Sequence, residues 1–188
     1  MSNVEKLEIQ IGDKKISFEV GEVARQAAGA AFVRMGESVV LVAAAHGNKP
    51  REDRDFFPLT VDYRERTYAA GRIPGGFFKR EGKARDNEVL TSRIIDRSVR
   101  PLFPETLRLE VQLNAIAMSH DGLHDLDILA VLGASLSLGM SALPWNGPIG
   151  AIRIGRVDER FVLNPNLDEQ ERSTMDLVVA GKKGSILM

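Results

Sequence analysis

Apolar and polar positions alternate through most of the first 45 residues, which is the pattern of β-strands. The segments LEIQI and KISFEV flank a turn at residues 12–14 and predict a hairpin. Two further strands, AAFVRM and SVVLVAAAHG, are joined at residues 36–37, and the second is apolar on both faces, as in a central strand. The polar segment GNKPREDRD predicts a connection, and FPLTVDYRERTYA after it predicts another strand.

The period of the apolar residues then changes to that of helices. A first helix is predicted from about residue 85 to 99, with Asp86 as its N-cap and Pro101 just past its end. The strand EVQLNAIAM separates it from a second helix, from about 126 to 142, that ends before Pro144. The small-residue run GASLSLGMSA lies inside this second helix and favours close packing on a sheet over phosphate binding. Short strands follow, in GAIRIGRV, RFVLN, DLVVAG and SILM. Strands and helices in this order predict an α+β domain with a mixed β-sheet and packed helices.

Composition narrows the class of protein. The 188 residues are enough for one domain with a sizeable core, and we find no internal repeat or domain linker. No apolar run reaches the length of a membrane helix, and the first ten residues lack the apolar core of a signal peptide. The sequence contains no cysteine, which removes disulfides and thiolate chemistry. We therefore expect a soluble, cytoplasmic protein with no membrane partner.

Charge is distributed unevenly along the chain. The net charge is −1, yet the segment from Arg64 to Arg100 contains ten basic and five acidic residues. The local balance of +5 would create a positive field on an otherwise acidic body, and such a field attracts phosphate backbones. A solvated basic face without a ligand is the alternative.

The stretch GRIPGGFFKREG, residues 71–82, places two aromatic residues beside two cations. Successive residues of a strand point to opposite faces, and the surrounding Pro and Gly residues argue against a helix, so Phe77 and Phe78 are predicted to be displayed on a loop. Aromatic rings stack on unpaired bases while Lys79 and Arg80 can meet phosphates. The alternative is that both rings pack the loop onto its own domain.

The helix segment TSRIIDRSVR carries an arginine stripe, consisting of Arg93, Arg97 and Arg100 on one face, with Leu90, Ile94 and Ile95 expected to turn inward. Phosphates would match the planar guanidinium groups bidentately. A structural role in salt bridges is the alternative, and Asp96 could neutralise one arginine.

Other chemistry finds little support. The chain has no GxxxxGK[ST] loop and no spacing of a hydrolase triad. His120 and His124 flank Asp121 before a helix, but three histidines in all and no thiolates make a metal site a weak hypothesis.

The motifs GRIPGGFFKREG, LTSRIIDRSVRPLF, GASLSLGMSALPWNGPIGA, VLNP and MDLVVAG closely resemble, in order, the N-terminal core domain of the bacterial polynucleotide phosphorylase family. The resemblance covers essentially the whole chain. It implies an RNase PH-like fold, a homotrimeric ring of longer chains, and phosphate-dependent 3′-to-5′ degradation of single-stranded RNA to nucleoside diphosphates. In that family the aromatic loop constricts a central channel and grips RNA. The residues implied for RNA binding are Phe77, Phe78, Lys79, Arg80, Arg93, Arg97 and Arg100, and Ser98 stands where the family more often has proline.

The same resemblance implies that the chemistry lies elsewhere. The family has two RNase PH-like domains per chain, with further KH and OB-type RNA-binding domains, and the second core domain holds a catalytic magnesium ion on an acidic pattern. Here the matching segment EQERSTMDLV keeps Asp176 but has Gln170 and Val178 at the other positions, and an amide binds magnesium far more weakly than a carboxylate does. The Gly-Thr-Arg phosphate-binding turn has no match near residues 122–124.

We therefore expect residues 1–188 to be a first RNase PH-like core domain, a fragment of a longer chain, with no catalytic residues and no metal ligands of its own. Its expected role is to bind and guide RNA in an enzyme that uses inorganic phosphate. The alternative is a non-enzymatic RNA-binding ring subunit of an exosome-like assembly.

Overall fold

A six-stranded β-sheet lies at the centre of the protein. The structure, a computed structural model, describes residues 4–51 and 55–188. The strands of this sheet are β1 (Glu5–Ile11), β2 (Lys14–Val20), β3 (Gly29–Met35), β4 (Ser38–Pro50), β5 (Leu59–Glu65) and β6 (Leu109–Ser119). They lie in the order β1-β2-β3-β4-β6-β5, and every neighbouring pair is antiparallel except β5 and β6, which are parallel. The prediction of a mixed sheet with a central β4 is confirmed.

Two helices pack against each other and against the six-stranded sheet, and the core lies between them and the sheet. These are α1 (Asp86–Val99), which contacts β5, and α2 (Asp127–Met140), which contacts β3 and β4. The small residues of α2 allow a close approach, because a Cβ on Gly133 would lie 2.5 Å from Cγ2 of Val42. Ser137 also donates its hydroxyl to the Val42 carbonyl at 2.9 Å. The predicted role of this run in helix-sheet packing is confirmed. Within the described ranges, no helix is long and apolar enough to cross a membrane.

A second, four-stranded antiparallel sheet packs against α2 through its first strand. Its strands are β7 (Gly150–Val157), β8 (Arg160–Leu163), β9 (Asp176–Lys182) and β10 (Ser185–Ile186), in the order β10-β9-β7-β8. The helix α2 thus contacts both sheets. A short helix, α3 (Leu167–Arg172), connects β8 to β9, and two 3-10 helices lie at Thr67–Ala70 and Arg100–Leu102.

Three local predictions are wrong. Asp86 is the first residue of α1 rather than its cap, because the extended residue before it, Arg85, takes the N-cap position and the Glu88 carboxylate accepts a hydrogen bond from the Arg85 N–H at 2.6 Å. Leu90 is 58% exposed, since the buried stripe of α1 runs one position further on, through Thr91, Ile95, Ser98 and Val99.

The third correction concerns the predicted connection GNKPREDRD. Its first residues continue strand β4 as far as Pro50, where that strand still pairs with β6. Residues 52–54 of the predicted connection lie outside the described residues.

Candidate nucleic-acid interface

The aromatic loop, residues 72–84, leaves the body of the protein after the 3-10 helix Thr67–Ala70 and returns at the start of α1. The side chains of Phe77 and Phe78 are 94% and 77% exposed. Their rings meet edge to face, with centroids 5.4 Å apart, so each supports the other and leaves a face open. The prediction that both rings are displayed rather than packed is confirmed.

A carboxylate fastens the returning limb of this loop. The backbone N–H of Thr67 donates to Oε1 of Glu81 at 2.8 Å, and the Thr67 hydroxyl donates to Oε2 at 2.9 Å. The two bonds from Thr67, backbone first, hold the pKa of the Glu81 carboxyl below its ordinary value, with help from the charges of Arg66 and Arg85. The outgoing limb is bonded to the same residue, through the N–H of Arg72 to the Thr67 carbonyl at 3.1 Å.

The end of the loop is fixed by a second set of contacts. Buried Glu88 accepts from the N–H of Arg85 and, at 2.8 Å, from the N–H of Glu65 in β5. The Glu65 carboxylate in turn accepts from Nη2 of Arg85 at 2.8 Å and from the side chain of Asn87 at 3.1 Å. These bonds attach the N-terminus of α1 to the sheet and determine where the loop ends.

The arginine stripe is divided by the structure. Arg93 and Arg97 are exposed and border a shallow depression beside Asp62 and Asp96. Neither guanidinium group forms an ion pair or a hydrogen bond within the described ranges.

Arg100 differs from its two neighbours on the stripe, because four of its five N–H donors are already used. It forms two hydrogen bonds to Asp96, at 2.6 and 2.9 Å, and donates to the backbone carbonyls of Phe57 and Leu59 at 3.1 and 3.2 Å. Its guanidinium also lies 5.7 Å from the centre of the Phe57 ring. For Arg100 these contacts support the alternative of a structural role, since it attaches α1 to the chain entering β5. RNA binding by the three arginines stays a prediction.

A polar cavity of about 680 Å³ opens behind the aromatic loop. Its wall includes three cations, Arg66, Arg72 and Lys83, whose side chains have no ion pair within the described residues. The carboxylates Glu65, Glu81 and Glu88 on the same wall are all engaged by donors of the protein. The positive field predicted from the sequence therefore continues from the loop into this cavity.

An acidic cluster around Asp176 is closed by an arginine. The Arg153 guanidinium donates from Nη1 to both oxygens of Asp176 and from Nη2 to Asp127 at 2.6 Å, and its Nε lies 3.4 Å from Asp125. Gln170 adds its amide N–H to Asp125 at 2.9 Å. The centre where three carboxylates converge is thus occupied by a positive charge of the chain itself.

Electrostatics within this cluster follow from burial. Burial opposes the charge on Arg153, but Asp127 and the two flanking carboxylates outweigh it and raise the guanidinium pKa further. Burial raises the pKa of the Asp127 carboxyl, and the positive charge of Arg153 offsets only part of this effect. Because a guanidinium does not lose its proton in proteins, the cluster keeps a permanent cation at its centre. These residues do not fit a divalent metal ion, and within residues 4–51 and 55–188 no group of three or more His, Cys, Asp or Glu side chains could hold one.

His124 is engaged in a different contact, with Asp121. Its ring nitrogen Nδ1 lies 2.7 Å from Oδ2 of Asp121, and the same carboxylate accepts from the N–H of Glu37 in the β3–β4 turn at 3.2 Å. Backbone N–H groups of Leu123 and His124 bond the other oxygen. This pair joins two loops of the protein.

The structure thus brings Phe77, Phe78, Lys79 and Arg80 together on one loop and leaves Arg93 and Arg97 on the outer face of α1. Sequence reasoning missed Glu81 as an anchor and Arg153 as a counterion. The partners of Arg153 lie 26 and 23 residues away in sequence, so no local pattern signals them.

The mixed six-stranded sheet, joined through α2 to an antiparallel four-stranded sheet, defines an RNase PH-like domain. Residues 12–144 match the 3′ exoribonuclease family, domain 1, and residues 147–188 match domain 2 of the same family. The chain belongs to the 3′ exoribonuclease family.

A polyribonucleotide nucleotidyltransferase from Endomicrobium trichonymphae is 52% identical over 183 residues, which are 97% of this chain and 27% of that protein. The chain therefore spans about a quarter of the length of this relative.

Two solved structures share the fold. A chain of the Archaeoglobus fulgidus exosome, determined with RNA bound to the active site, matches all of this chain and 76% of its own length, with a TM-score of 0.69 and 18% identity. Rrp46 of rice (Oryza sativa) matches 95% of this chain and 75% of its own, with a TM-score of 0.66 and 14% identity. At these identities the likeness concerns the fold alone.

Proposed function

We propose that residues 1–188 form the first RNase PH-like core domain of a longer phosphate-dependent 3′-to-5′ exoribonuclease, in which they bind and guide single-stranded RNA without catalysing its cleavage. The 52% identity to a polyribonucleotide nucleotidyltransferase supports the proposal. The whole enzyme would consume inorganic phosphate and release nucleoside diphosphates.

The observation that carries this proposal is the exposed pair of Phe77 and Phe78. Two large apolar rings, 94% and 77% exposed at the tip of a loop, gain nothing from the fold of their own domain. Lys79 and Arg80 follow directly, so stacking and phosphate neutralisation can act on neighbouring nucleotides. Arg93 and Arg97 add two more cations whose charge the described protein does not neutralise.

The closed acidic cluster supports the non-catalytic part of the proposal. A metal ion would have to displace Arg153, which is hydrogen-bonded to Asp127 and Asp176, and the amide of Gln170 offers little in exchange. We place the magnesium ion of the whole enzyme in another domain.

The same proposal covers the assembly. Three copies around one channel, as a homotrimer, would bring three aromatic loops to one strand of RNA. A second RNase PH-like domain and KH and OB-type domains would belong to the remaining length of the protein. We place it in the cytoplasm. The identity to the named relative favours this enzyme over a non-enzymatic ring subunit.

Replacement of Phe77 and Phe78 by alanine in the whole protein tests the proposal. Stacking on an aromatic ring is worth roughly 1–3 kcal/mol per base, so the Kd for a long single-stranded RNA should rise about tenfold or more. The melting temperature should change little, whereas loss of a core phenylalanine would cost about 3–5 kcal/mol of stability. Phe161→Ala is the matched control, because Phe161 is 71% exposed on β8 and outside the loop. Unchanged RNA affinity in the double variant would contradict the proposal.

A further inference from the structure

The aromatic loop is attached to the protein at both of its limbs but not at its tip. Its outgoing limb bonds to Thr67 through Arg72, and its returning limb bonds to the same Thr67 through Glu81. No hydrogen bond joins the intervening residues 73–80 to the rest of the described chain. The position of both rings therefore depends on what holds the two limbs.

We propose that Glu81 is a positioning residue for RNA binding, which acts through Thr67 to hold Phe77 and Phe78 at a fixed place above the protein. This inference rests on the proposed function and assigns a role to a residue that would not itself touch the RNA. The clamp formed by Glu81 and Thr67 is local and lies on the protein surface, so its loss should free the loop without unfolding the domain.

The chemistry of the clamp suits this role. The carboxylate accepts two hydrogen bonds at 2.8 and 2.9 Å from one residue, and bonds to an ionised acceptor are stronger than neutral ones. The hydrogen bonds from Thr67 stabilise the ionised carboxylate of Glu81 and so lower its pKa. Beyond Glu81, the next residue bonded to the body of the protein is Arg85, so without the clamp the unattached segment lengthens from residues 73–80 to residues 73–84.

The consequence for binding is entropic. A loop already held in its binding position loses less conformational freedom when RNA arrives than a longer, free loop does. The expected loss of affinity on release of the clamp is about three- to tenfold, because the freed side chains must be immobilised again when RNA binds.

Charge alone predicts the opposite change in RNA affinity, so the two effects can be distinguished by experiment. Glu81 is the acidic residue of a basic loop, and its removal alone should strengthen the attraction of RNA. Glu81→Ala removes both the charge and the clamp, whereas Glu81→Gln removes the charge but keeps an acceptor for the Thr67 N–H and a donor for its hydroxyl. We expect Glu81→Ala to bind a long single-stranded RNA three- to tenfold more weakly and Glu81→Gln to bind as well as the unchanged protein or slightly better.

Further variants test whether Glu81 affects RNA affinity through Thr67 and the two phenylalanine rings. Thr67→Val removes only the hydroxyl bond and should weaken binding in the same direction by a smaller factor. Glu105→Ala, at an exposed glutamate outside the loop, is the control for loss of a negative charge. In the Phe77→Ala, Phe78→Ala background, Glu81→Ala should no longer weaken binding, because the rings that it positions are gone.

The measurements are the RNA Kd, the melting temperature and hydrogen exchange of residues 72–84 in the whole protein. Faster exchange there, with an unchanged melting temperature and the pattern above, would support the inference. Loss of affinity in Phe77→Ala, Phe78→Ala but none in Glu81→Ala would overturn it and leave the proposed function intact. A loss from Glu81→Ala of equal size with and without the rings would also overturn it. No effect of the phenylalanine variants themselves would instead count against the proposed function.

Discussion

Arg153 and Asp176 are joined by two hydrogen bonds from a single nitrogen, since Nη1 of the arginine donates to both carboxylate oxygens at 2.6 and 2.7 Å. The same guanidinium donates to Asp127 at the start of α2. Strands β7 and β9 and helix α2 are therefore connected through one side chain. The connection combines charge neutralisation with the packing of the second sheet on the core helix.

We predict that Arg153→Met destabilises the protein by about 3–5 kcal/mol, because removal of one partner leaves Asp127 buried without its counterion. Urea unfolding measures the change. Arg156→Met on the same strand is the matched control, since the Arg156 ion pair with Glu159 is exposed and should be worth less than about 1 kcal/mol. Equal effects of the two substitutions would show that the cluster adds no stability beyond an ordinary surface pair.

The isolated chain should not degrade RNA by phosphorolysis. Incubation with single-stranded RNA, magnesium and phosphate should release no nucleoside diphosphate, because Arg153 occupies the centre of the carboxylates around Asp176. Chromatography of the nucleotides detects the product. Release by a preparation free of host enzyme, and abolished by Asp176→Asn, would contradict the non-catalytic assignment.

The divided arginine stripe predicts two different phenotypes. Loss of Arg93 and Arg97 together should weaken binding of single-stranded RNA at every sequence and lower the slope of log K against log salt by about 0.7 for each lost phosphate contact. Stability should change little, since both side chains are exposed.

Arg100→Ala should behave in the opposite way. Its loss leaves Asp96 and two backbone carbonyls without their donor, at a cost of about 1–3 kcal/mol, while the salt slope of RNA binding stays the same. Titration at several salt concentrations and thermal unfolding separate the two effects. A lower salt slope in folded Arg100→Ala would return this residue to the RNA-binding group.

The Asp121 pair predicts a dependence of stability on pH. Burial opposes ionisation of Asp121, but hydrogen bonds from the His124 ring, from backbone N–H groups and with Ser38 outweigh it and hold the pKa of its carboxyl far below the ordinary value. A lowered folded pKa gives stability that is complete above the unfolded pKa of about 3.9 and is lost as the pH falls toward the folded pKa. Asp121→Asn should therefore be less stable than the unchanged protein at pH 7 by about 1–3 kcal/mol.

The difference between these two proteins should narrow between pH 5 and pH 2, because only the unchanged carboxyl can take up a proton there. Chemical unfolding across this range measures it. If the difference in unfolding free energy between the two proteins stayed constant with pH, the asparagine would act through shape rather than charge.

Strand positions could be predicted from the sequence because each has a strong local signal. The alternation around residues 12–14 and 36–37 predicts the pairing of β1 with β2 and of β3 with β4, which the structure confirms. The parallel pairing of β5 with β6 has no such local signal. The two strands are separated in the chain by α1, and parallel strands need such a crossover connection instead of a tight turn. Helix α3 was missed although Asn166 and Glu169 form a capping box, which is readable in the sequence as Asn-x-x-Glu.

The candidate interface also has features that could be predicted from the sequence and one that could not. Exposure of Phe77 and Phe78 follows from glycine and proline around them, and the structure confirms it. The separate role of Arg100 could not be predicted from helical spacing, since its acceptors at Phe57 and Leu59 are more than 40 residues away in sequence. Spacing shows which side chains share a helix face, but not which tertiary partner each one meets.

Both limbs of the aromatic loop are hydrogen-bonded to Thr67, which closes the base of the loop. The number of residues in the tip is therefore independent of the sheet beneath it. Residues could be added to or removed from the segment 73–80 without moving β5 or α1, since neither is bonded to the tip. In the proposed ring of three subunits, such changes alone would alter the width of the opening. Short insertions and deletions would therefore change the bore of that proposed channel on an unaltered scaffold.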